Sequence, residues 1–311
     1  MAKPFTIAVA QLNPVVGDLV GNADKLIAAY REGSSEVDLL VAPELYLSGY
    51  PPEDLVMRRG FDRAVQAEAA RIAKATADGG AWIITGAPWA VEGELYNAAL
   101  VIGDGSIQNI CRKSKLPNYG VFDEMRVFSP GPPPAPVSVR GIRVAALICE
   151  DIWSPDPVEA VRQGGAEILV AINGSPYDIA KLDDRRGQAA ARVREAHLPL
   201  VYVNQVGGQD ELVFDGSSFV LNSEGSTVVQ LPPWQATTVA VRFTRTGNVW
   251  WPETGPVVNF PDELEMTYRA LVLGLRDYTA KNGFGGVVIG LSGGVDSSLS
   301  AAIAVDALGA E

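Results

Sequence analysis

The sequence has 311 residues, of which 47% are hydrophobic and 20% are charged. This size and apolar content predict about two folded domains and exclude disorder as the main state. The 37 acidic residues outnumber the 25 basic ones, which argues against nucleic acid or an anionic membrane as a partner. A single histidine, His197, excludes zinc sites built on several histidines, and two cysteines are too few for a disulfide framework.

The N-terminal apolar run is too short for a membrane span or for the core of a signal peptide. It begins at Phe5 and is interrupted by Gln11 and Asn13, and no other apolar run is long enough to cross a bilayer. With only two cysteines, a reducing compartment is the natural setting. We therefore expect a cytoplasmic protein without a membrane partner.

Short runs rich in apolar and β-branched residues recur along most of the chain and alternate at first with helical patterns. Such alternation predicts an α/β fold with helices packed on sheets. The runs between Trp82 and Arg112 have no helix between them, which predicts hairpins and a mixed sheet. The predicted strands are 5–12, 38–42, 82–87, 96–102, 109–112, 143–149, 167–172, 200–204, 217–221 and 237–243, and the predicted helices are 23–32, 61–77 and 183–196.

Residues 250–261 read WWPETGPVVNFP and have no periodicity, which predicts a linker between a first domain at 1–249 and a second at 262–311. Asp262 and Glu265 have capping-box spacing, so a helix is predicted to begin after Asp262 and to end at Gly283. A short buried strand is then predicted at 286–290 and a helix at 299–308. A parallel strand needs neighbours on both sides, so we expect the second domain to be truncated.

Cys149 ends the strand-like run 143–149, and strand ends are where layered α/β folds place reactive groups. A thiol needs a base or a cation to become a nucleophile. His197 follows a predicted helix and is better read as a helix-terminal residue, so a lysine and a glutamate are the alternative activators. Two strand-like runs supply them, since 38–42 leads to Glu44 and 109–112 leads to Lys113, with Lys115 as a rival lysine.

These residues lie in three segments that occur in order: PELYLSGYPPED at 43–54, CRKSKLPNYGVFDE at 111–124 and LICEDIW at 147–153. The segments resemble the three signatures of the nitrilase superfamily, in the form typical of the glutaminase domain of glutamine-dependent NAD synthetases. The resemblance implies a four-layer αββα sandwich. It also implies that Glu44 is the general base, Lys113 the catalytic lysine and Cys149 the nucleophile that forms a thioester with glutamine. Physically, the Lys113 ammonium would favour the thiolate and stabilise an oxyanion.

The same resemblance implies a subsite for the amino-acid head group of glutamine. It assigns this role to Tyr119, and to Ser175 and Lys181 in the segment NGSPYDIAK. Phe122 would line the pocket, Glu124 would position Lys113, and the backbone N–H of Glu150 would be a second oxyanion donor. Cys111 has no such context and is expected to be structural.

Residues 290–298 read GLSGGVDSS, follow the predicted strand and open a helix. Small residues at a helix N-terminus let backbone N–H groups face an anion, and the loop lacks the Gly-Lys-Ser/Thr ending of a Walker loop. It resembles the pyrophosphate loop of ATP pyrophosphatases, a Rossmann-like family. That resemblance implies ATP and Mg²⁺ as cofactors, with no metal in the glutaminase half. The matching residues are Gly290, Leu291, Ser292, Gly293, Gly294, Val295, Asp296 and Ser297.

Together the two resemblances imply an enzyme that hydrolyses glutamine and passes the ammonia to deamido-NAD, whose carboxylate ATP activates. We expect the fragment to retain only the glutaminase half, and we expect a homo-oligomer by analogy with the superfamily. Two other interpretations stay open. One is a stand-alone amidase or carbamoylase of the same superfamily, and the other is a catalytically idle module used for assembly.

Overall fold

The computed structural model describes residues 3–33, 36–179 and 181–310, without the side chains of Lys181 and Leu182. The strands are β1 (Phe5–Gln11), β2 (Leu39–Val41), β3 (Trp82–Val91), β4 (Glu94–Gly103), β5 (Ser106–Arg112), β6 (Val137–Val139), β7 (Ile142–Ile148), β8 (Ile168–Asn173), β9 (Leu200–Asn204), β10 (Val206–Gln209), β11 (Leu212–Asp215), β12 (Phe219–Leu221), β13 (Thr227–Gln230), β14 (Thr237–Thr246) and β15 (Val249–Pro252). The helices are α1 (Leu19–Gly33), α2 (Phe61–Ala75), α3 (Pro155–Gln163), α4 (Lys181–Ala196), α5 (Glu263–Lys281) and α6 (Val295–Leu308). Of the helices in the described ranges, none is long and apolar enough to cross a membrane.

Two mixed sheets and one hairpin contain all of these strands. The first sheet has the order β15–β14–β1–β2–β3–β4–β5, the second has the order β13–β12–β9–β8–β7–β6, and β10 pairs only with β11. The central strands of each sheet are parallel, β1 to β2 to β3 and β7 to β8 to β9. The run β3–β4–β5 is antiparallel, which confirms the predicted hairpins and mixed sheet.

Alternating side chains explain how the layers form. On β1, Ile7 and Val9 face a core shared by both sheets, whereas Ala8 and Ala10 pack with α1 and α2. On β7, Ala146 likewise faces the shared core, whereas its neighbours pack with α3 and α4. Each sheet is thus buried on both faces, and the result is the expected four-layer αββα sandwich.

α5 begins where the sequence predicted and is anchored on the sandwich. The Asp262 carboxylate accepts a hydrogen bond from Glu265 N at 2.9 Å, as expected of an N-cap. Further along α5, the buried Asp277 carboxylate accepts hydrogen bonds from Asn13 Nδ2 and Gly208 N, both at 2.7 Å. Lys281 Nζ donates to two backbone carbonyls of the sandwich, at 2.8 Å each. The helix and the β10–β11 hairpin are therefore joined by charged hydrogen bonds.

Two expectations for the C-terminal part need correction. The strand predicted at 286–290 is wrong, because residues 285–291 lack regular structure and Val288 is fully exposed. No described strand lies beside this segment, so its backbone has no ladder to join. The segment predicted as a linker also begins too early, since Trp250 is buried in the shared core and Trp251 pairs with Thr244.

Candidate active site

Three charged side chains from different parts of the chain, Glu44, Lys113 and Glu124, form a buried cluster. Lys113, directly after β5, is completely buried. Its Nζ lies 2.7 Å from Glu44 Oε1 and 2.8 Å from Glu124 Oε1. Burial lowers the pKa of Lys113, but the carboxylates of Glu124 and Glu44 outweigh burial and hold the pKa well above its ordinary value. Lys113 is therefore an ammonium, and its third N–H has no partner among the described residues.

Glu44 is fixed by donors on both carboxylate oxygens. Oε1 accepts from Lys113 Nζ and from Asn97 Nδ2, both at 2.7 Å, and Oε2 accepts from Gly174 N at 2.8 Å. The turn that carries Glu44 packs directly against Gly86 on β3, where an added Cβ would approach Leu45 N to 2.0 Å. Each carboxylate oxygen has two lone-pair sites. Within the described part of the chain, the free site of Glu44 is therefore on Oε2.

Cys149 occupies a sharp change of direction after β7. Its φ is +46°, a left-handed conformation that is costly for a residue with a Cβ, and it opens a 3₁₀ turn that ends at Ile152. The side chain is buried. Strained backbone of this kind clusters at functional positions, and here it places Cys149 at the margin between the shared core and the turn.

The electrostatic surroundings keep the resting Cys149 sulfur protonated. Burial raises the pKa of the Cys149 thiol well above its ordinary value and the Glu44 carboxylate raises it further, while Lys113 opposes them. Glu44 and Lys113 therefore both lie within electrostatic range of the sulfur. Lys113 by itself lowers the pKa of the Cys149 thiol, in the direction that the sequence predicted, but burial and Glu44 act more strongly than the single ammonium.

Asp151, which was not predicted from the sequence, joins the segment that carries Lys113 to the turn that carries Cys149. One carboxylate oxygen accepts from Ser114 N at 3.1 Å, Ser114 Oγ at 2.8 Å and Lys115 N at 2.9 Å. The other oxygen accepts from Ile148 N at 3.1 Å. A buried aspartate two residues after a strand-end cysteine was the available signal, because an unpaired carboxylate is costly inside a protein. Asn97, which bridges Glu44 and Glu124, gave no comparable signal.

Glu124 is the second carboxylate that pairs with Lys113, and its pKa is raised. Burial raises the pKa of Glu124 to about 7, with Lys113 opposing the rise and Glu44 adding to it. Tyr50 Oη lies 3.4 Å from Glu124 Oε1, and burial holds the pKa of Tyr50 well above its ordinary value. Tyr50 therefore stays a neutral donor beside the two carboxylates.

The residues expected around the glutamine head group lie on two loops. Tyr119 Oη donates to Glu150 Oε2 at 2.9 Å, and its ring meets Phe122 edge-on at a centroid separation of 5.5 Å. Tyr119 is half exposed, so this pair lies toward solvent. The Lys181 backbone begins α4, but the Lys181 side chain lies outside the described part of the structure.

Ser175 is buried and held from several sides. Its N–H donates to Asn204 Oδ1 at 2.9 Å, and its carbonyl accepts from Asn204 Nδ2 at 3.0 Å. Arg185 Nη2 lies 3.3 Å from both the Ser175 carbonyl and the Ser175 Oγ. Asn204 and Arg185 were not predicted from the sequence, since neither lies in the matching segments.

The rival residues lie outside the buried cluster. Lys115 forms an ion pair at 2.6 Å with the exposed Asp156. His197 directly follows α4 in a left-handed conformation. Burial raises the pKa of Cys111 to about 12, and this side chain packs at the edge of the shared core.

The loop at 290–298 is exposed and leads into α6. Gly293 has a φ of +85°, and Gly294 is the N-cap of the helix. Ser292 Oγ lies 3.1 Å from Ser297 Oγ, so the loop closes on itself through its hydroxyls. No group of three or more metal-binding side chains occurs among the residues that the structure describes.

The chain belongs to the carbon-nitrogen hydrolase family, whose model matches residues 6–247. A second family model, NAD synthase, matches residues 267–311.

A protein of Rhodobacter capsulatus named glutamine-dependent NAD(+) synthetase is 46% identical over 311 residues, covering 100% of this chain and 56% of the relative. The structure of glutamine-dependent NAD+ synthetase from Acinetobacter baumannii in complex with ADP superposes with a TM-score of 0.93 at 37% identity, over 99% of this chain and 58% of the other. An amidase from Nesterenkonia sp. superposes with a TM-score of 0.69 at 26% identity, over 80% of this chain and 90% of the other. The chain thus spans little more than half the length of the synthetases it matches.

Proposed function

We propose that the chain hydrolyses the side-chain amide of glutamine through a thioester on Cys149 and supplies the ammonia for ATP-dependent amidation of deamido-NAD. The observation that carries this proposal is the buried Lys113 ammonium, bonded to Glu44 and Glu124 within electrostatic range of the strained Cys149. The match to relatives named glutamine-dependent NAD(+) synthetase supports glutamine as the substrate.

In the first half of the reaction the Cys149 sulfur attacks the amide carbon. The thiol proton moves to Glu44 Oε2, which has the free lone-pair site, and from there to the leaving nitrogen. The C–N bond breaks, ammonia leaves, and an S–C bond remains as the thioester. Because the resting sulfur is protonated, proton transfer accompanies the attack instead of preceding it.

The negative oxygen of the tetrahedral intermediate needs donors that are already in place. The third N–H of Lys113 is one, since its other two N–H groups are held by Glu44 and Glu124. The backbone N–H of Glu150, next to the sulfur in sequence, is the second. In the second half, Glu44 takes a proton from water, the hydroxide attacks the thioester carbon and the C–S bond breaks. Glu44 then returns the proton to the Cys149 sulfur, and glutamate leaves.

The substrate head group would lie between the two loops described above. Tyr119 and Ser175 would hydrogen-bond it, Lys181 would pair with its carboxylate, and Phe122 would line the wall. Glu124 would keep Lys113 oriented throughout the reaction.

The loop at 290–298 would bind the pyrophosphate part of ATP. Its glycine-rich backbone and the N-terminus of α6 are donors that fit phosphate oxygens. Mg²⁺ typically keeps several water ligands and binds through substrate phosphates and one or two carboxylates, with Asp296 the carboxylate in this loop. ATP would activate the carboxyl group of deamido-NAD for the amidation by adenylating it, with release of pyrophosphate, and residues 290–297 would bind and orient the phosphates of ATP. We also propose a two-domain division at about 253–261, after β15, together with cytoplasmic location and a homo-oligomer.

A substrate comparison separates this proposal from that of a stand-alone amidase, which the likeness to the Nesterenkonia amidase favours. We expect the purified chain to release ammonia from glutamine with a kcat/KM at least about 100-fold above that for propionamide, because only glutamine has a head group to bind. The measurement is ammonia release at matched concentrations. Turnover of propionamide without turnover of glutamine would instead establish the amidase, and an unreactive Cys149 without turnover of either would establish the idle module.

The pH profile of glutamine hydrolysis tests the raised pKa of Glu124. The rate is expected to rise as pH rises through about 7, because Glu124 loses its proton there and only its charged form pairs with Lys113. Glu124→Gln replaces this titrating carboxyl with a neutral amide, so the rise of kcat/KM near pH 7 should be absent in the variant. The exposed neighbour variant Asp123→Asn should keep the rise. An unchanged rise near pH 7 in Glu124→Gln would contradict the assignment.

A further inference from the structure

The lysine and the cysteine of the buried site belong to different sheets. Lys113 follows β5 of the seven-stranded sheet, whereas Cys149 follows β7 of the six-stranded sheet. The core that the two sheets share is apolar, and apolar contacts have no preferred direction. Packing of the core alone therefore does not hold the Lys113 ammonium and the Cys149 sulfur to the fraction of an ångström that catalysis needs.

The Asp151 carboxylate spans the junction between the two sheets. It is almost completely buried. One of its oxygens accepts from the backbone and hydroxyl donors of Ser114 and Lys115, directly after the lysine, at 2.8 to 3.1 Å. Its other oxygen accepts at 3.1 Å from the N–H of Ile148, the residue directly before the cysteine. One planar group thus connects the chain beside the lysine to the chain beside the nucleophile.

The partners of Asp151 also fix its charge state and the shape of the turn. Backbone N–H groups lie against both oxygens, and an N–H can only donate, so both oxygens act as acceptors, as suits the ionised carboxylate. The bond to Ile148 N closes the 3₁₀ turn back onto β7. It therefore helps to hold Cys149 at its strained φ of +46°.

We infer that Asp151 is a positioning residue that sets the nucleophile of one sheet against the ammonium of the other. This role rests on the proposed glutaminase function and extends it, because it adds a residue that acts through Lys113 and Cys149. A structural role alone would change the free energy of unfolding and leave the kcat of folded molecules as it is.

Asp151→Asn breaks one end of the bridge with almost no change in size. The amide oxygen can still accept from Ser114 and Lys115, but the amide NH₂ would then face Ile148 N, and two donors form no bond. We expect kcat for glutamine to fall by about 10²-fold with KM changed less than about threefold, since a displacement of about 1 Å has an effect of this size. Asp156→Asn, at an exposed aspartate of α3, is the matched control and should change neither constant.

A double variant distinguishes positioning from an independent defect. If Asp151 acts through Lys113, then Asp151→Asn should lower kcat by no more than about threefold further when it is combined with Lys113→Met. Independent effects multiply, so a full further loss of about 10²-fold would overturn the inference. A lower free energy of unfolding of Asp151→Asn with unchanged kcat would overturn it as well.

Ser114→Ala decides alone if Asp151→Asn does not fold. This variant removes one bond on the lysine side of the bridge and keeps the buried charge. Its kcat should fall by about threefold, the effect of one hydrogen bond, with KM unchanged. An unchanged kcat would overturn the inference.

Iodoacetamide labelling of Cys149 tests the same role without glutamine turnover. Burial and three nearby carboxylates raise the pKa of the Cys149 thiol, and Lys113 lowers it. The carboxylates are those of Glu44, Glu124 and Glu150. If Asp151→Asn displaces Lys113 from the sulfur, the rise of the labelling rate with pH should move to higher pH.

The direction of this shift separates positioning from a simple change of charge. Loss of the Asp151 charge alone would move the rise to lower pH, and that result would overturn the inference. An unmodified chain that hydrolyses no glutamine would refute the proposed function, whereas a shift to higher pH in the same chain would still support the placement of Lys113 by Asp151.

Discussion

Cys149→Ala is expected to reduce kcat for ammonia release from glutamine by about 10⁴-fold or more. The thioester cannot form without the sulfur. The rest of the site can only bind the substrate and donate hydrogen bonds to it. The fold should persist, because the change removes one small atom from a buried position. The measurement is steady-state ammonia release, together with intact mass after brief mixing with glutamine to detect the acyl-enzyme.

Cys111→Ala is the matched control, since Cys111 is the second free cysteine and its Sγ lies 3.8 Å from Asn109 Oδ1. This variant should keep its turnover and should still gain the acyl mass. Iodoacetamide should label Cys149 first, because Glu44 is near to take the proton from this thiol. Undiminished hydrolysis by Cys149→Ala, or preferred labelling of Cys111, would refute the thioester mechanism.

Lys113→Met is expected to reduce both catalysis and stability. The oxyanion loses a charged donor, which typically costs about 10²–10³-fold in kcat. Glu44 and Glu124 also lose the cation between them, and removing one partner of a buried ion pair typically costs about 3–5 kcal/mol in the free energy of unfolding. The measurements are kcat for glutamine and urea unfolding at two pH values.

The pH dependence of that loss has a definite sign. The pKa of Glu124 is already raised to about 7, and without Lys113 an opposing influence is removed, so the raised pKa moves further upward. Glu124 is then protonated below neutral pH, which relieves the repulsion with Glu44. The difference in unfolding free energy between the unmodified chain and Lys113→Met should therefore be smaller at pH 5.5 than at pH 8.

Lys115→Met provides the control for the lysine prediction. Lys115 pairs with an exposed aspartate outside the cluster, and exposed pairs contribute about 0–1 kcal/mol. Its removal should leave kcat unchanged and the unfolding free energy almost unchanged. An equal loss in both lysine variants would contradict the distinct role of Lys113.

The layered fold could be predicted because its signals are local. Continuous apolar runs such as residues 168–172 can be buried only between two layers, and this is where β8 lies. The short hairpin β10–β11 was not predicted, because its two glycines and its exposed turn resemble a loop in sequence. The strand predicted at 286–290 failed for the opposite reason, since its composition suits a sheet but no described strand lies beside it.

The candidate site was only partly predictable. Glu44, Lys113 and Cys149 end or follow strand-like runs within segments that match a known family, so sequence alone indicated them. Asn97 and Arg185 lie inside ordinary elements, β4 and α4, and their importance comes from contacts across 53 and 30 positions of the chain. Such partners depend on the tertiary fold and have no local pattern.

The attachment of α5 has a consequence for how the molecule unfolds. The β10–β11 hairpin carries Gly208, which is bonded to Asp277 of the helix, and it also carries Asp215, which holds Arg185. Separation of α5 from the sandwich would remove two hydrogen bonds from the buried Asp277 carboxylate and expose one face of the hairpin. The hairpin therefore links the melting of the helix to that of the sandwich, so that the two segments lose their structure as one cooperative unit.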